Sequence, residues 1–145
     1  RSFWCYKFRS MHINEKSDEL QATKGDKRVT ALGAFLRKTS IDEFPQFFNV
    51  IKGEMSIVGP RPHMLKHTEL YGVQIDNYLS RLTLKQGLTG WAQVKGYRGE
   101  TSEIKFMEDR VRHDLWYMYN WSFWLDIKIV FLTAIKIFKA ENPVY

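Results

Sequence analysis

From Thr30 onwards the apolar residues return at three- and four-residue intervals, the period of a helix with one buried face. Leu32, Phe35 and Leu36 do so in "TALGAFLRKTS", Ile41, Phe44, Phe48 and Ile51 in "SIDEFPQFFNVI", and Ile104, Met107, Val111 and Leu115 in "SEIKFMEDRVRHDLWYMYNW". Boundary signals agree with that period. Arg37 and Lys38 close the first segment, where a helix C-terminus favours positive charge and delivers it next to Asp42. Ser40 and Glu43 have the S-x-x-E spacing of a capping box at the head of the second. Pro45 falls in the first turn, where its missing donor costs least, and Gly53 stands where a C-cap is wanted. "HMLKHTELYGVQIDNYLSRL" and the aromatic "WSFWLDIKIVFLTAIKIF" complete the helical set.

Other segments lack the helical period. "FWCYKFRSM" alternates aromatic and basic residues and predicts a strand, followed by the polar "NEKSDELQATKGDKR", a loop with some helix. "MSIVGPRP" predicts a short buried strand ending in a rigid turn, because Pro60 and Pro62 each restrict their neighbours and leave Arg61 little backbone freedom. Gly87, Gly90, Gly96 and Gly99 punctuate "KQGLTGWAQVKGYRGET", which predicts tight turns around a short strand or extended piece at Trp91 to Val94. The sum is an α/β mixed (α+β) fold, helix-rich with a few short strands, and 145 residues suit a single domain over 1–145.

Composition adds a partner class. The net charge of +6 points to an anion: nucleic acid, an acidic membrane surface or a phosphorylated substrate. The lone Cys5 excludes an intrachain disulfide and a cysteine-based zinc cluster and fits a reducing compartment. Asp126, Lys128 and Lys136 interrupt the C-terminal apolar tract, so no run reaches the ~18 to 20 residues that span a bilayer. That tract reads equally as a buried core helix or as a helix in a membrane interface. In the second case Trp121 and Trp124 sit near headgroup depth, and Lys128, Lys136 and Lys139 reach anionic lipid.

The candidate chemistry begins at Asp42 and Glu43. Acidic residues are ordinary in a first helical turn, where they complement the dipole, and Glu43 has a capping role open to it. The same adjacent carboxylates, near Arg37 and Lys38, suit a divalent cation and offer phosphorus an ionised nucleophile. Arg61 is either an exposed turn residue or a preset fork for phosphate. His63 and His67, four apart, read as a helical surface pair, since no third ligand accompanies them.

Four ordered blocks then change the balance: "YKFRSM", "LRKTSIDEFPQFFNVIKGEMSIVGPRP", "QGLTGWAQVKGYRG" and "HDLWYMYNWSFWLDIKI". Together they resemble the catalytic domain of the bacterial sugar transferases, the polyisoprenyl-phosphate hexose-1-phosphate transferases of the monotopic phosphoglycosyl transferase superfamily. The resemblance covers nearly the whole chain. The family's helix that enters and re-exits the membrane just before "YKFRSM" has no counterpart in these residues, so the chain reads as a fragment of a longer membrane-associated protein.

The resemblance implies transfer of a sugar 1-phosphate from a UDP-sugar, UDP-glucose or UDP-galactose, to undecaprenyl phosphate, starting exopolysaccharide, capsule or O-antigen assembly at the cytoplasmic face of the bacterial plasma membrane. Asp42 would be the nucleophile of an Asp-Glu dyad with Glu43, forming a covalent phosphosugar and releasing UMP, and Asp42 would also be the ligand of Mg2+. Arg61 of "PRP", flanked by Pro60 and Pro62, would face the nucleotide, Arg37 would support the dyad or phosphate, and Lys7 and Arg98 would complete a cationic site. Asp114 of "HDLWY" matches a characteristic acidic position and reads equally as half of a structural ion pair. No nucleic-acid partner is implied, and a homodimer is left open. The rival classes, a basic nucleic-acid-binding module and a membrane-interface scaffold, leave the co-occurrence of the Asp-Glu pair, "GPRP" and "GWAQV" unexplained.

Overall fold

The computed structural model describes residues 2–13, 22–23, 25–99 and 103–139. In chain order the elements are α1 (Ala31–Thr39), a 3-10 turn (Ile41–Glu43), α2 (Gln46–Ile51), β1 (Ser56–Val58), α3 (Leu65–Gln74), a second 3-10 segment (Tyr78–Thr83), β2 (Gly87–Thr89), α4 (Trp91–Val94), α5 (Ile104–Tyr119) and α6 (Phe123–Phe138). This is the helix-rich α+β architecture the pattern predicts. β1 and β2 pair in parallel, Ser56 opposite Gly87 and Val58 opposite Thr89.

Three local expectations give way. Residues 3–11 form no strand: a single antiparallel bridge, Met11 to Val29, is all the ladder they make, and most of the loop predicted after them lies outside the described residues. Asn49 holds the segment instead, its Oδ1 accepting from the Tyr6 N–H at 3.0 Å while its Nδ2 donates to the Trp4 carbonyl at 2.7 Å. The capping box is not made either. Ser40 sits in the left-handed region (φ 59°) as the C-cap of α1, where its N–H serves the carbonyls of Arg37 and Leu36, and its side chain caps nothing. Finally, Trp91–Val94 is one turn of helix, and the strand in that block lies earlier, at Gly87–Thr89.

Glycines explain the strand's position. A Cβ on Gly87 would lie 2.1 Å from the Gly59 nitrogen, and one on Gly90 would lie 2.2 Å from the Gly59 carbonyl oxygen. The "GPRP" and "QGLTG" backbones are therefore in direct contact, tied by the Gly59 N–H to Thr89 and the Gly87 N–H to the Pro60 carbonyl, each at 2.9 Å. α5 is the spine of the core. Its Met107 and Val111 pack with Tyr71, Ile75 and Tyr78, and one turn past Asp114 its Tyr117 joins Val58, Val94 and Ile129.

The helix faces are inverted around the site. α2 buries Gln46 and Asn49 and turns Phe47, Phe48 and Ile51 outwards, so the apolar side predicted to be core is exposed. α6 lays Ile129 into the core, with Leu125 and Leu132 packed against the same cluster, and exposes Phe123, Trp124, Phe131 and Phe138, so the buried-core reading holds for one face of that helix only. No helix among the described residues is long and apolar enough to cross a membrane.

The backbone contact at Gly87 generates a clear expectation. Gly87→Ala should lower the unfolding free energy by about 3 kcal/mol or more, since the added methyl meets main chain on both sides. Urea unfolding followed by circular dichroism measures it, and a change within 0.5 kcal/mol would show that the strand pair is looser than the geometry requires.

Candidate active site

Glu43 is the meeting point of the molecule's charged residues. Its Oε1 accepts from Arg61 Nη2 at 2.6 Å and lies 3.4 Å from Lys7 Nζ. Its Oε2 accepts from Arg98 Nη2 at 2.7 Å, with Arg61 Nη1 at 3.4 Å. Burial alone would push this carboxyl up, but Arg61, Lys7 and Arg98, with the hydrogen bond from Arg61, hold it well below the usual carboxylate range. Glu43 is thus a permanent anion with both oxygens engaged.

Asp42, its chain neighbour, is treated in the opposite way. It is buried, yet among the described residues no side chain donates to its carboxylate. Desolvation, helped by the neighbouring Glu43 charge, raises its pKa against the pull of Lys7, Arg37 and Arg98. An underused, destabilised carboxylate beside cations is a more basic and more nucleophilic oxygen than an ordinary surface Asp. The two adjacent carboxylates are thus shifted in opposite directions by their surroundings.

Each cation arrives on a fixed support. Lys7 lies between two backbone anchors, the Tyr6 N–H on Asn49 and the Phe8 N–H on the Asp42 carbonyl at 2.9 Å. Arg37 at the end of α1 donates through Nε to Ser10 Oγ at 2.7 Å. Pro60 is buried, with its carbonyl in the strand contact, and Pro62 is half-buried, so the pair acts here by placing Arg61. Arg98 also donates to Ser40 Oγ at 2.8 Å. The αL serine that fails to cap a helix therefore orients an arginine.

Behind this lies a buried network that the sequence reading did not identify. Arg81 donates through Nε to Asp114 at 2.8 Å and through Nη2 to the Arg61 carbonyl at 2.9 Å, while Arg110 Nη2 donates to the carbonyl of Gly99 at 2.6 Å. Two buried arginines thereby fix the main chain at or beside Arg61 and Arg98. Asp114 makes the ion pair with Arg81 that its structural reading anticipates. His63 sits between them, Nδ1 3.0 Å from Arg81 Nη1 and Nε2 3.1 Å from Arg110 Nη1. Desolvation, then Arg81, Arg110 and Arg61, push its pKa well below the ordinary value, so it is a neutral ring inside a cationic cluster, not the surface helix position expected. Arg110, desolvated and beside Arg61 and Arg81, is pushed down to about 10. No group of three His, Cys, Asp or Glu suited to a metal occurs among the described residues. The one available signal for this network was the pairing of an apolar-faced helix with Arg110 and Asp114 on that same face, four residues apart.

The geometry therefore brings together Lys7, Arg37, Arg61 and Arg98 around Asp42 and Glu43, four cations on two carboxylates, and the surplus favours an anionic ligand. Residues 1–140 match the family described as bacterial sugar transferase, and the chain belongs to that family. It is 55% identical over 134 residues to the UDP-glucose:undecaprenyl-phosphate glucose-1-phosphate transferase of Escherichia coli (strain K12), covering 92% of this chain and 29% of that protein. It is similar to proteins with the same description from Klebsiella pneumoniae, 54% identical over 134 residues with the same coverage, and Xanthomonas campestris pv. campestris, 50% identical over 139 residues, 94% of this chain and 29% of that protein. The chain spans less than a third of the length of these relatives.

Two expectations follow from the electrostatics. Asp114→Ala leaves Arg81 buried without its anion and should cost about 3 to 5 kcal/mol in urea unfolding, whereas a loss under 1 kcal/mol would remove the network from its supporting role. For Asp42 the folded pKa lies above the unfolded one, so its ionisation lowers stability as pH rises through that interval, and the penalty persists at neutral pH. Asp42→Asn should therefore raise the thermal midpoint at pH 7, and the gain should shrink as pH falls towards the ordinary carboxylate range. An equal or lower midpoint at pH 7 would contradict the assignment.

Proposed function

We propose that this chain is the catalytic domain of a phosphoglycosyl transferase that moves glucose 1-phosphate from UDP-glucose to undecaprenyl phosphate through a covalent intermediate on Asp42. The observation that carries this reading is the asymmetry of the dyad: Glu43 saturated by cations, and Asp42 beside it with no side-chain donor among the described residues. The descriptions of the relatives support the donor and acceptor classes.

In the first step an Asp42 carboxylate oxygen attacks the sugar-linked phosphorus, the bond to the bridging oxygen breaks, and UMP leaves with that oxygen. In the second an oxygen of the lipid phosphate attacks the same phosphorus, releasing Asp42 and forming the lipid diphosphosugar. One displacement between two anions becomes two in-line displacements. Arg61 and Lys7 neutralise the donor diphosphate while Glu43 keeps their charges from repelling one another. Glu43 acts as a clamp and is a poor base, because its pKa is held well below the usual carboxylate range and both oxygens are engaged by cations. The residues fit Mg2+ only in its usual manner of one or two carboxylates completed by substrate phosphates, with Asp42 the ligand and Glu43 already engaged. Bound there, Mg2+ would offset the repulsion between carboxylate and diphosphate.

The exposed aromatic residues of α2 and α6, with Lys128, Lys136 and Lys139, support docking against anionic lipid at the cytoplasmic face of the membrane, where the acceptor resides. The convergence of cations on one buried carboxylate, not along a face, disfavours the nucleic-acid reading.

The test uses the intact parent protein in detergent with Mg2+ and individual UDP-sugars, read by mass spectrometry. A hexose-phosphate adduct should form with UDP-glucose, be absent in Asp42→Asn, and form about a hundredfold more slowly in Arg61→Ala. Absence of adduct with every donor, or its persistence in Asp42→Asn, would overturn the covalent reading.

A further inference from the structure

A cleft of about 190 Å³ opens beside the dyad, between α6, the β1–β2 pair and the start of α2. Its walls are Phe47, Ile57, Leu88, Val94, Val130 and Ile137. The two threonines in its lining have engaged hydroxyls: Thr89 and Thr133 bond each other at 2.7 Å, and the Thr133 hydroxyl also donates to the Ile129 carbonyl at 2.8 Å. Polar character is gathered where Arg98 bonds Ser40 and Glu43, and Lys136 adds a second cation to the lining. Gln93, only 8% exposed, lines the same cleft, and its Nε2 has no partner among the described residues. A buried amide donor without an acceptor is costly unless a ligand supplies one.

We infer that this cleft is the acceptor site: Gln93 and Arg98 take the phosphate of the polyprenyl phosphate, and the apolar walls take its first isoprene units. The inference rests on the transferase reading above and adds to it a location and a residue, Gln93. A polyprenyl phosphate carries one anion at one end of an unbroken hydrocarbon, and the cleft offers hydrogen-bond donors, a guanidinium and the Lys136 ammonium within largely apolar walls. Another helix of the protein, or a second copy, would match the apolar walls but would bring no anion to the Gln93 donor beside the Glu43-paired Arg98. The cations on Glu43 also divide: Arg98 lines the cleft, whereas Lys7, on Oε1, and Arg61, which reaches both oxygens, do not. Donor and acceptor phosphates thus have separate cationic partners and a shared dyad.

The test uses the full-length protein with dimethylallyl, farnesyl and undecaprenyl phosphate as acceptors, and adduct formation from UDP-glucose alone as the check that the dyad is intact. Leu88→Trp fills the cleft. It should raise the KM for farnesyl and undecaprenyl phosphate about tenfold, the loss of roughly two buried methylenes, and leave that for dimethylallyl phosphate unchanged. Gln93→Leu should raise all three by a similar factor. Native acceptor kinetics in both variants would overturn the inference. A benzophenone amino acid at Val130 gives a reading independent of activity: crosslinking to the polyprenyl phosphate supports the site, and crosslinking to another segment or a second copy refutes it. Crosslinking to lipid in a protein that forms no adduct would keep the cleft and discard the covalent mechanism.

Discussion

The organisation of this domain depends on one anion. Glu43 is bonded by cations from positions 7, 61 and 98, which lie 36, 18 and 55 residues away along the chain. A buried carboxylate with a single partner would be a liability, because its desolvation penalty exceeds what one pair returns. With donors on both oxygens it becomes the fixed point about which three otherwise unrelated segments are ordered. The extended segment near the N-terminus, the proline-bracketed turn and the glycine-rich block have little regular secondary structure of their own. The arginines and the lysine they carry are held by this carboxylate and by main-chain anchors.

The support is layered in a consistent way. Nearest the dyad are the side chains that bear charge, and behind them are groups that hold the backbone: Asn49 on the first segment, Arg81 on the Arg61 carbonyl, Arg110 on Gly99, and the glycine contacts that set β1 against β2. Buried polar groups that would be expensive singly are tolerated here because most of the network is satisfied by main chain or by each other, Arg110 Nε and the Gln46 amide being without a partner among the described residues. The result is preorganisation, with the cost of gathering like charges met in folding and not at each turnover.

Much of the helical framework was legible in the sequence, because α1, α5 and α6 keep an apolar period over two or more turns. The short elements were not. A three-residue strand such as Gly87–Thr89 leaves too little pattern to distinguish it from the one-turn helix that follows, and its placement is set by glycine backbone contacts distant in sequence. The capping box failed because Ser40 was needed twice over, to end α1 and to orient Arg98. The direction of the α2 face was misjudged for a physical reason: periodicity finds a stripe but cannot say what lies against it, and here Gln46 and Asn49 face the protein while the phenylalanines face away. The side chains that converge on Asp42 and Glu43 and lie in contiguous motifs were legible. Arg81, Arg110 and Gln93 were not, since burial of a polar side chain leaves no mark on local composition.

The outward phenylalanines and tryptophans of α2 and α6 also govern how the isolated domain behaves as a colloid. In plain water these faces have nothing to cover them, and the net charge of +6 is what keeps two copies from bringing them together. That repulsion is long-ranged only while salt is dilute, with a reach of ~30 Å at 0.01 M and ~8 Å at physiological strength. Added salt shortens the repulsion and leaves the apolar attraction intact, so solubility falls as ionic strength rises.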